Sequence, residues 1–269
     1  MKKNIGSLID EFKNKINIDI KAEDITAQSA GMSAALIFII SNKYLYKMYF
    51  NKEIYEHTKY FFDNFNDNEY FQHLVFDSPD NNALCLEYIE GDLLYELKSN
   101  DDNLLPQIYK MVSKYKTVSE GDYSKYNFGS NTFADYIEQS INYNKVDNID
   151  YSLMNSSLEV IKKYNYPSYI LHGDMGSHNL IIKDGKLKVI DPDIKVGDKL
   201  YDFYCCILSD PIIFEKLNKE EILNYFDEYD LEYKKAMFNL CLYYRISVAL
   251  KYNYYSNTKA FYDMLEKID

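Results

Sequence analysis

The sequence has no tryptophan, no Cys-x-x-Cys pair and no apolar run long enough to cross a bilayer. Its longest apolar stretch, residues 34–40, is far shorter than the roughly 20 residues that a membrane-spanning helix requires. The four cysteines lack metal-site spacing and imply no disulfide framework. Asp10 and Glu11 interrupt the N-terminal segment too early for a signal-peptide core. These absences predict a cytoplasmic protein without a membrane span.

Positive charge is also scarce, because 42 acidic side chains outnumber 30 basic ones and give a formal net charge of −12 at pH 7. A surface of this kind repels phosphate groups, so we expect neither nucleic acid nor an anionic membrane as a partner. It attracts cations, which is compatible with a positively charged small-molecule substrate, although net acidity also serves solubility alone. Nothing in the composition indicates an oligomeric state.

Residues 172–179, which read His-Gly-Asp-Met-Gly-Ser-His-Asn, are the most informative segment. Asp174 follows His172 by two positions and precedes Asn179 by five, and a second acid, Asp191, comes soon afterwards. This is the H-x-D-x-x-x-x-N spacing of a phosphotransfer loop with its metal-binding acid. Single members of this set are common in turns, but the complete set predicts an enzyme that moves a phosphoryl group from a nucleotide to a hydroxyl. Asp174 would accept the proton of that hydroxyl or orient it.

A β-hairpin is predicted directly after this loop. Asp184-Gly185 is a preferred two-residue turn, and it separates the apolar segments 180–183 and 186–190. Counting outward from the turn places Asn179 and Asp191 near the open end of the hairpin, where opposed residues are roughly 5 Å apart. An amide oxygen and a carboxylate can then converge on one Mg²⁺, which prefers oxygen ligands.

A lysine lies within a predicted apolar strand near the N-terminus. Residues 34–40 and 44–50 read as two strands around a short turn, and Lys47 lies in the second. A lysine at an edge strand discourages aggregation, whereas in a kinase-type small lobe it contacts phosphate. In the second case its acidic partner belongs on the next helix, predicted over residues 52–65. Glu53 and Glu56 are both candidates, and we favour Glu53.

Two further segments have predicted roles. Residues 83–91 read as an apolar strand that ends in an acid and a glycine, as in a kinase hinge, where adenine would meet main-chain groups around Glu87 to Ile89. Asp202 is predicted to begin an apolar helix, because an acid there accepts main-chain N–H bonds and suits the helix dipole. We interpret Asp198 and Asp202 as structural residues that brace the catalytic loop. Two further helices are predicted over about 219–229 and 231–255.

The chain resembles the aminoglycoside phosphotransferase and choline kinase superfamily, small-molecule relatives of protein kinases. Within it, the Gly31-Met32-Ser33 segment and the strand with Tyr46-Lys47-Met48 look most like the aminoglycoside 3′-phosphotransferase branch. The resemblance spans most of the chain and is carried by the following segments: Gly31-Met32-Ser33, Tyr46-Lys47-Met48, Leu86-Glu87-Tyr88-Ile89-Glu90-Gly91, residues 172–179, Ile190-Asp191-Pro192-Asp193, Gly197-Asp198 and Tyr201-Asp202.

This resemblance implies an α+β, two-lobed, protein-kinase-like fold. A small N-terminal lobe with an antiparallel sheet would bind nucleotide over residues 1–90, and a larger, mainly helical lobe would carry catalysis and substrate over residues 91–269. ATP, or GTP, and Mg²⁺ are the implied cofactors. The implied site residues are Asp174 as base, Asn179 and Asp191 as Mg²⁺ ligands, Lys47 with Glu53 on the α and β phosphates, and Ser33 over the phosphates.

Several alternatives for function stay open. Among acceptors, aminoglycosides compete with choline-like amino alcohols, macrolides and sugars. Antibiotic resistance would follow if the acceptor is an aminoglycoside or a macrolide. Acids such as Asp227, Glu228, Asp230 and Glu232 would bind an amine-bearing substrate, or would equally form a solvated face. A protein kinase is disfavoured because the short segment from Asp191 to Asp202 leaves no room for a peptide-docking loop. A non-catalytic kinase-fold protein would lack one or more site residues. This alternative is disfavoured because all four central residues are present, namely Lys47, Asp174, Asn179 and Asp191.

Overall fold

The computed structural model describes residues 5–28, 35–97, 103–118, 123–127, 129–145, 147, 149–210, 219–252, 261 and 263. Ser33, with the rest of the predicted phosphate loop, lies outside these residues. The chain divides into two compact units, one of Met1–Gly91 with Lys188–Ile190 and the other of Asp92–Leu187 with Asp191–Asp269. Within the described ranges, no helix is both long enough and apolar enough to span a membrane.

An antiparallel five-stranded sheet, ordered β1-β2-β3-β5-β4, forms the centre of the first unit. Its strands are β1 Ile25–Gln28, β2 Ala35–Ile40, β3 Tyr44–Tyr49, β4 Leu74–Ser78 and β5 Ala83–Glu87. The predicted turn between β2 and β3 contains Ser41 and Asn42, each with φ of 51°. Asn is among the residues that tolerate this left-handed conformation best.

Two helices pack against this sheet. They are α1 Ile5–Ile16 and α2 Lys52–Phe65, and α2 has the predicted bounds. Phe12 of α1 is fully buried in a cluster with Tyr46 and Met48 of β3. Because alternate side chains of a strand face opposite sides, Lys47 lies on the other face, with Tyr49. The Tyr49 ring contacts Tyr55 of α2, which identifies that face as the α2 side.

The second unit is mainly helical. Its helices are α3 Leu94–Leu97, α4 Leu104–Val112, α5 Tyr123–Tyr126, α6 Phe133–Tyr143, α7 Ser152–Ile161, α8 Lys199–Ile207, α9 Lys219–Leu223 and α10 Leu231–Lys251. Helix α10 packs against α6, α7 and α8 and so lies at the centre of the unit. The sequence predicted a helix over 219–229, but α9 ends at Leu223. Phe226 adopts a left-handed φ of 62°, which a right-handed helix cannot contain.

Five short strands accompany these helices. They are β6 Asp92–Leu93, β7 Tyr169–Leu171, β8 Leu180–Lys183, β9 Lys186–Val189 and β10 Lys195–Gly197. β7 pairs antiparallel with β10, and β6, β8 and β9 form a second sheet. Asp184 and Gly185 have φ of 52° and 71°, as the predicted hairpin turn requires. The predicted α+β fold, a small antiparallel-sheet unit followed by a larger helical one, is confirmed.

Candidate active site

The loop after β7 presents Asp174 to solvent and fixes its carboxylate. The chain passes from Leu171 through a short 3-10 turn, Ser177–Asn179, into β8. The side-chain amide of Asn179 donates to the Asp174 carboxylate and to the Asp174 main-chain oxygen, both at 2.9 Å. Asn179 is 5% exposed, whereas the Asp174 side chain is 45% exposed. The Asp174 carboxylate is therefore held by a buried amide and is still accessible to a bound molecule.

The surroundings of Asp174 keep its carboxylate ionised. Partial removal from water favours its neutral form, but the hydrogen bond and charge of His178, together with the charge of Arg245, outweigh that effect. The pKa of Asp174 consequently lies well below its ordinary value. His178 Nε2 is 3.3 Å from the carboxylate and its ring is about half exposed, so this histidine belongs to the surroundings of Asp174.

A buried carboxylate on α8 braces the start of the same loop. Asp202 is fully buried and accepts hydrogen bonds from the main-chain N–H of His172 at 2.7 Å, from that of Gly173 at 3.2 Å and from the Tyr115 hydroxyl at 2.8 Å. Burial raises the pKa of Asp202. Asp202 therefore braces the loop, as the sequence predicted.

The predicted start of α8 at Asp202 is wrong. The helix begins at Lys199, and its N-cap is Asp198, whose carboxylate accepts the Leu200 N–H at 2.7 Å. The second Asp198 oxygen accepts the Tyr233 hydroxyl at 2.8 Å, so Asp198 joins the first turn of α8 to α10 and does not brace the catalytic loop. Two acids four residues apart both suit a first helical turn, and the side chains around them decide which one is the cap.

The segment that contains Asp191 runs beside the catalytic loop. The Asp193 N–H donates to the His172 oxygen at 2.9 Å, continuing the β7–β10 ladder. Gly173 has φ of +79°, and a Cβ there would overlap the carbonyl oxygen of Asp193. Only glycine permits this approach without strain. Asp174 and Asp191 therefore leave the same end of the ladder.

Asp191 has an unusual backbone conformation. Its φ of 59° is left-handed, and its side chain is exposed. Such a conformation costs about 1–3 kcal/mol and is concentrated at functional sites. The nitrogen of the Asn179 amide is committed to Asp174, which leaves its oxygen as the atom that a cation would take.

The donor types of Asn179 and Asp191 fit Mg²⁺. The described residues contain no cluster of three or more His, Cys, Asp or Glu side chains that could hold a metal by themselves. Mg²⁺ is typically held by one or two protein oxygens together with waters and substrate phosphates. One amide oxygen and one carboxylate match that pattern.

Sequence reasoning missed two residues that hold the site together. Lys195, only 2% exposed, donates from Nζ to the main-chain oxygens of Asp193 and Ile194 at 3.1 Å and contacts the Asp193 carboxylate at 2.9 Å. The Ser209 hydroxyl accepts the Ser177 N–H at 2.9 Å. Neither residue belongs to a motif. The buried position of Lys195 in a three-residue strand gives no periodic signal that could have identified it.

In the first unit, Lys47 is 6% exposed and lies 5.3 Å from the centre of the Tyr49 ring. Of its two predicted partners, the Glu53 side chain is 70% exposed and lies 4.0 Å from His57. The Glu56 carboxylate is 3.2 Å from Lys52 and also exposed. Burial of a lysine in the sheet is consistent with a specific role, and the choice between the two acids stays a prediction.

The predicted adenine-binding segment follows β5. Glu87 donates its N–H to the His73 oxygen at 2.8 Å, and its own oxygen accepts the Gln72 side-chain amide at 3.0 Å. Tyr88 donates to the Lys43 oxygen at 2.8 Å. For the main chain of Ile89 the described residues provide no hydrogen-bond partner. The binding of a base at this segment stays a prediction.

A cavity of about 740 Å³ in the second unit is lined by Val118, residues 131–134, 161–162 and 164–168, Asp198 and Tyr233. It lies beside Ser168, which precedes β7, whereas Asp174 follows that strand. The one acid among its described lining residues, Asp198, is occupied by Leu200 and Tyr233. We therefore place the candidate active site at the Asp174 end of β7.

Three of the four acids suggested for substrate binding have partners within the chain. Glu228 pairs with Lys199 at 2.7 Å, Asp230 accepts the Tyr166 hydroxyl at 2.8 Å, and Glu232 accepts the Tyr164 hydroxyl at 3.1 Å. These contacts give the three acids a structural use. A role for any of them in substrate binding stays a prediction.

Neither a scan of protein-family models nor a search of curated proteins finds a match. Solved structures do match over nearly the whole chain. The streptomycin–ATP–APH(2″)-IIa ternary complex has a TM-score of 0.59 at 17% identity, over 97% of this chain and 99% of that one. The GDP complex of wild-type aminoglycoside 2′-phosphotransferase-IIIa has a TM-score of 0.59 at 12% identity, over 100% of this chain and 98% of that one. Choline kinase LicA from Streptococcus pneumoniae has 0.57 at 14%, over 98% of each chain.

The fold is therefore that of aminoglycoside phosphotransferase and choline kinase structures, as the sequence resemblance implied. Identities of this size carry the fold alone. The closer likeness to the 3′-phosphotransferase branch stays a prediction.

Proposed function

We propose that this protein is a nucleoside-triphosphate-dependent O-phosphotransferase that acts on a hydroxyl of a small, amine-bearing molecule. The observation that carries the proposal is the Asp174 carboxylate, which is partly exposed and held at 2.9 Å by the buried amide of Asn179. Support comes from a fold shared with structures solved with ATP, with GDP and with an aminoglycoside.

Asp174 acts on the acceptor hydroxyl. The lowered pKa keeps the Asp174 carboxylate ionised at neutral pH. The carboxylate accepts the hydroxyl proton, or orients the hydroxyl, while the hydroxyl oxygen bonds to the terminal phosphorus. The bond from that phosphorus to the bridging oxygen breaks, and the nucleoside diphosphate leaves. A general base typically contributes about 10²–10⁴-fold, and correct positioning contributes up to roughly 7–11 kcal/mol of the barrier. The hydrogen bond from Asn179 and the brace from Asp202 therefore matter because they fix where that carboxylate lies.

Asn179 and Asp191 would hold Mg²⁺, through the amide oxygen and the carboxylate. When bound, the ion supplies neutralisation of charge on the phosphate oxygens, which is a major part of phosphoryl-transfer catalysis. The Asp191 side chain is exposed, and the Asn179 amide is held by its two hydrogen bonds to Asp174.

The nucleotide contacts stay as the sequence predicted them. Lys47 would contact the α and β phosphates with Glu53 as its partner, Ser33 would lie over the phosphates, and the main chain from Glu87 to Ile89 would meet the base. Both main-chain groups of Glu87 already form hydrogen bonds, with His73 and Gln72. Ile89 is therefore a stronger candidate than Glu87 for contact with the base.

The acceptor class is proposed from charge and from the names of the similar structures. A net charge of −12 favours a cationic acceptor. The neighbours include complexes with streptomycin, gentamicin and kanamycin and also a choline kinase. Aminoglycosides are therefore the first acceptors to test, and amino alcohols such as choline are the second.

The test is a screen for Mg²⁺-dependent release of ADP and GDP. The acceptors are aminoglycosides, choline, macrolides and simple sugars, each incubated with wild-type protein and with Asp174→Asn. We expect release stimulated by one acceptor class and lost in the variant.

Each result of the screen has a defined meaning. Slow release without stimulation by any acceptor would indicate a working nucleotide site whose acceptor is missing from the panel. Nucleotide binding without any release would overturn the proposed activity and favour a non-catalytic nucleotide-binding protein.

A further inference from the structure

We propose that Arg245 is a positioning residue that holds the catalytic loop in place from α10. The inference rests on the proposed function, because the loop matters only if Asp174 acts on substrate. Arg245 is the single arginine of the chain, and it is half-buried near the end of the central helix of the second unit.

The guanidinium group of Arg245 joins two segments. Its Nη2 donates to the main-chain oxygen of Met175 at 2.6 Å and to that of Cys205 at 2.8 Å, and its Nε donates to the same Cys205 oxygen at 3.0 Å. Met175 directly follows Asp174. The contact therefore fixes the peptide unit next to the one that bears the candidate catalytic carboxylate.

The Cys205 oxygen explains why the group is held rigidly. It lies in the last turn of α8, where carbonyl groups lack the N–H partners of the helix interior. The Ser209 N–H, which would reach Cys205 in a continuing helix, donates to Cys206 instead. A guanidinium at this position satisfies the open carbonyl and lies at the negative end of the helix dipole. Because it is anchored there, its remaining hydrogen bond can fix the loop.

Arg245 is one of several residues that attach the loop. Asp202 holds the N–H groups of His172 and Gly173, and Ser209 holds that of Ser177. The carbonyl groups of His172 and Asp174 accept from the Asp193 N–H and the Asn179 amide. Arg245 holds the next carbonyl, that of Met175, with a planar group that offers several fixed donors, which a lysine cannot reproduce.

The test compares four variants at a temperature well below unfolding. Arg245→Met keeps a long side chain but removes every donor, and Arg245→Lys keeps the charge but not the planar fork. Lys234→Met is the matched control, because Lys234 is a buried cation on the same helix whose Nζ donates to a carbonyl, that of Tyr225 at 3.3 Å, away from the loop. The fourth variant combines Arg245→Met with Asp174→Asn.

We expect Arg245→Met to lower kcat by about 10²-fold with little change in either KM, as a misplacement of about 1 Å would. Arg245→Lys should recover part of that loss, and Lys234→Met should leave kcat unchanged. The combined variant should be no slower than Asp174→Asn, because residues that act as a unit are not additive. Full additivity would overturn the inference.

Amide hydrogen exchange over residues 174–179 provides a readout that does not need turnover. Exchange should accelerate about tenfold or more in Arg245→Met and stay unchanged in Lys234→Met, because local opening controls exchange in a loop. Unchanged exchange in Arg245→Met would overturn the inference, whatever the activity. If wild-type protein turns over no acceptor, the proposed function fails, and the exchange result still decides whether Arg245 holds the loop.

Discussion

The side-chain amide of Asn179 donates to the carboxylate of Asp174 at 2.9 Å, from a position that is almost fully buried. A motif of residues five positions apart thus becomes one rigid pair, in which the nitrogen fixes the candidate base and the oxygen remains for a cation. The proposed chemistry requires both groups of the Asn179 amide: the nitrogen to hold Asp174 and the oxygen to bind the cation.

Replacing Asn179 with Ala should raise the Mg²⁺ concentration needed for half-maximal activity by about 10–100-fold, because groups that hold or orient a metal site have effects of that size. It should also lower kcat, since Asp174 loses its support. The measurement is the rate of nucleoside diphosphate release as a function of Mg²⁺ concentration.

Asn127→Ala is the matched control for Asn179→Ala. Asn127 is equally buried, and its amide bonds both main-chain groups of Val196, at 2.6 and 3.0 Å. Its removal should cost about 1–3 kcal/mol of stability and leave the Mg²⁺ dependence unchanged. Similar Mg²⁺ shifts in both variants would contradict the assignment of Asn179 as a ligand.

Replacing Lys47 with Met should lower kcat/KM for the nucleotide without lowering the Tm. Methionine has a similar length, so it keeps the apolar packing of the side chain at a site that is 6% exposed. Steady-state kinetics and thermal unfolding measure the two effects. A lower Tm with normal nucleotide kinetics would mean that Lys47 is only a structural residue of the sheet.

Gly173→Ala and Gly129→Ala separate backbone strain from steric overlap. Both glycines are left-handed, with φ of +79° and +81°, but a Cβ at Gly129 meets open space, whereas at Gly173 it overlaps Asp193. Gly129→Ala should cost about 1–2 kcal/mol from φ alone. Gly173→Ala should cost more and should also lower kcat, because the two segments must separate. Equal losses of unfolding free energy in urea would contradict the close approach.

The stability of the protein should depend on the titration of Asp198. Burial raises the pKa of Asp198 to about 6 from an ordinary value of 3.8. The folded protein therefore binds this proton more tightly than the unfolded chain does. The resulting stabilisation is fully present below pH 3.8 and is lost as the pH rises through about 6, up to roughly 3 kcal/mol in total.

Asp198→Asn removes that titration. The free energy of unfolding of wild type relative to this variant should fall between about pH 4 and pH 7, because other titrating groups cancel in the difference. Urea unfolding of both proteins across this range makes the comparison. A difference that does not vary with pH would mean that Asp198 keeps an ordinary pKa in the folded protein.

Local rules predicted the parts of the fold that depend on near neighbours. The Asp184-Gly185 turn, α2 over 52–65 and the strands around Lys47 follow from turn preference, helical periodicity and apolar runs. The same rules gave too long a helix after residue 219, because the left-handed Phe226 packs against the rings of Tyr109 and Phe203, which are distant in sequence.

The candidate site divides in the same way. Asp174 and Asn179 were predictable because the chemistry fixes their spacing within one loop. Arg245 meets Met175 across 70 positions of sequence, and no periodicity or motif records such a contact. The prediction that α8 begins at Asp202 was wrong, because the contacts that decide the roles of Asp198 and Asp202 come from Tyr233 and Tyr115, which are distant in sequence.

The central claim is that Asp174 acts on the acceptor and not on the nucleotide. The most direct measurement pairs single-turnover phosphate transfer to the acceptor with calorimetric nucleotide binding, for wild type and Asp174→Asn. We expect transfer to fall by about 10²–10⁴-fold or beyond detection while the nucleotide Kd stays nearly the same. An equal loss of transfer and of nucleotide affinity would contradict the role of Asp174 as the base.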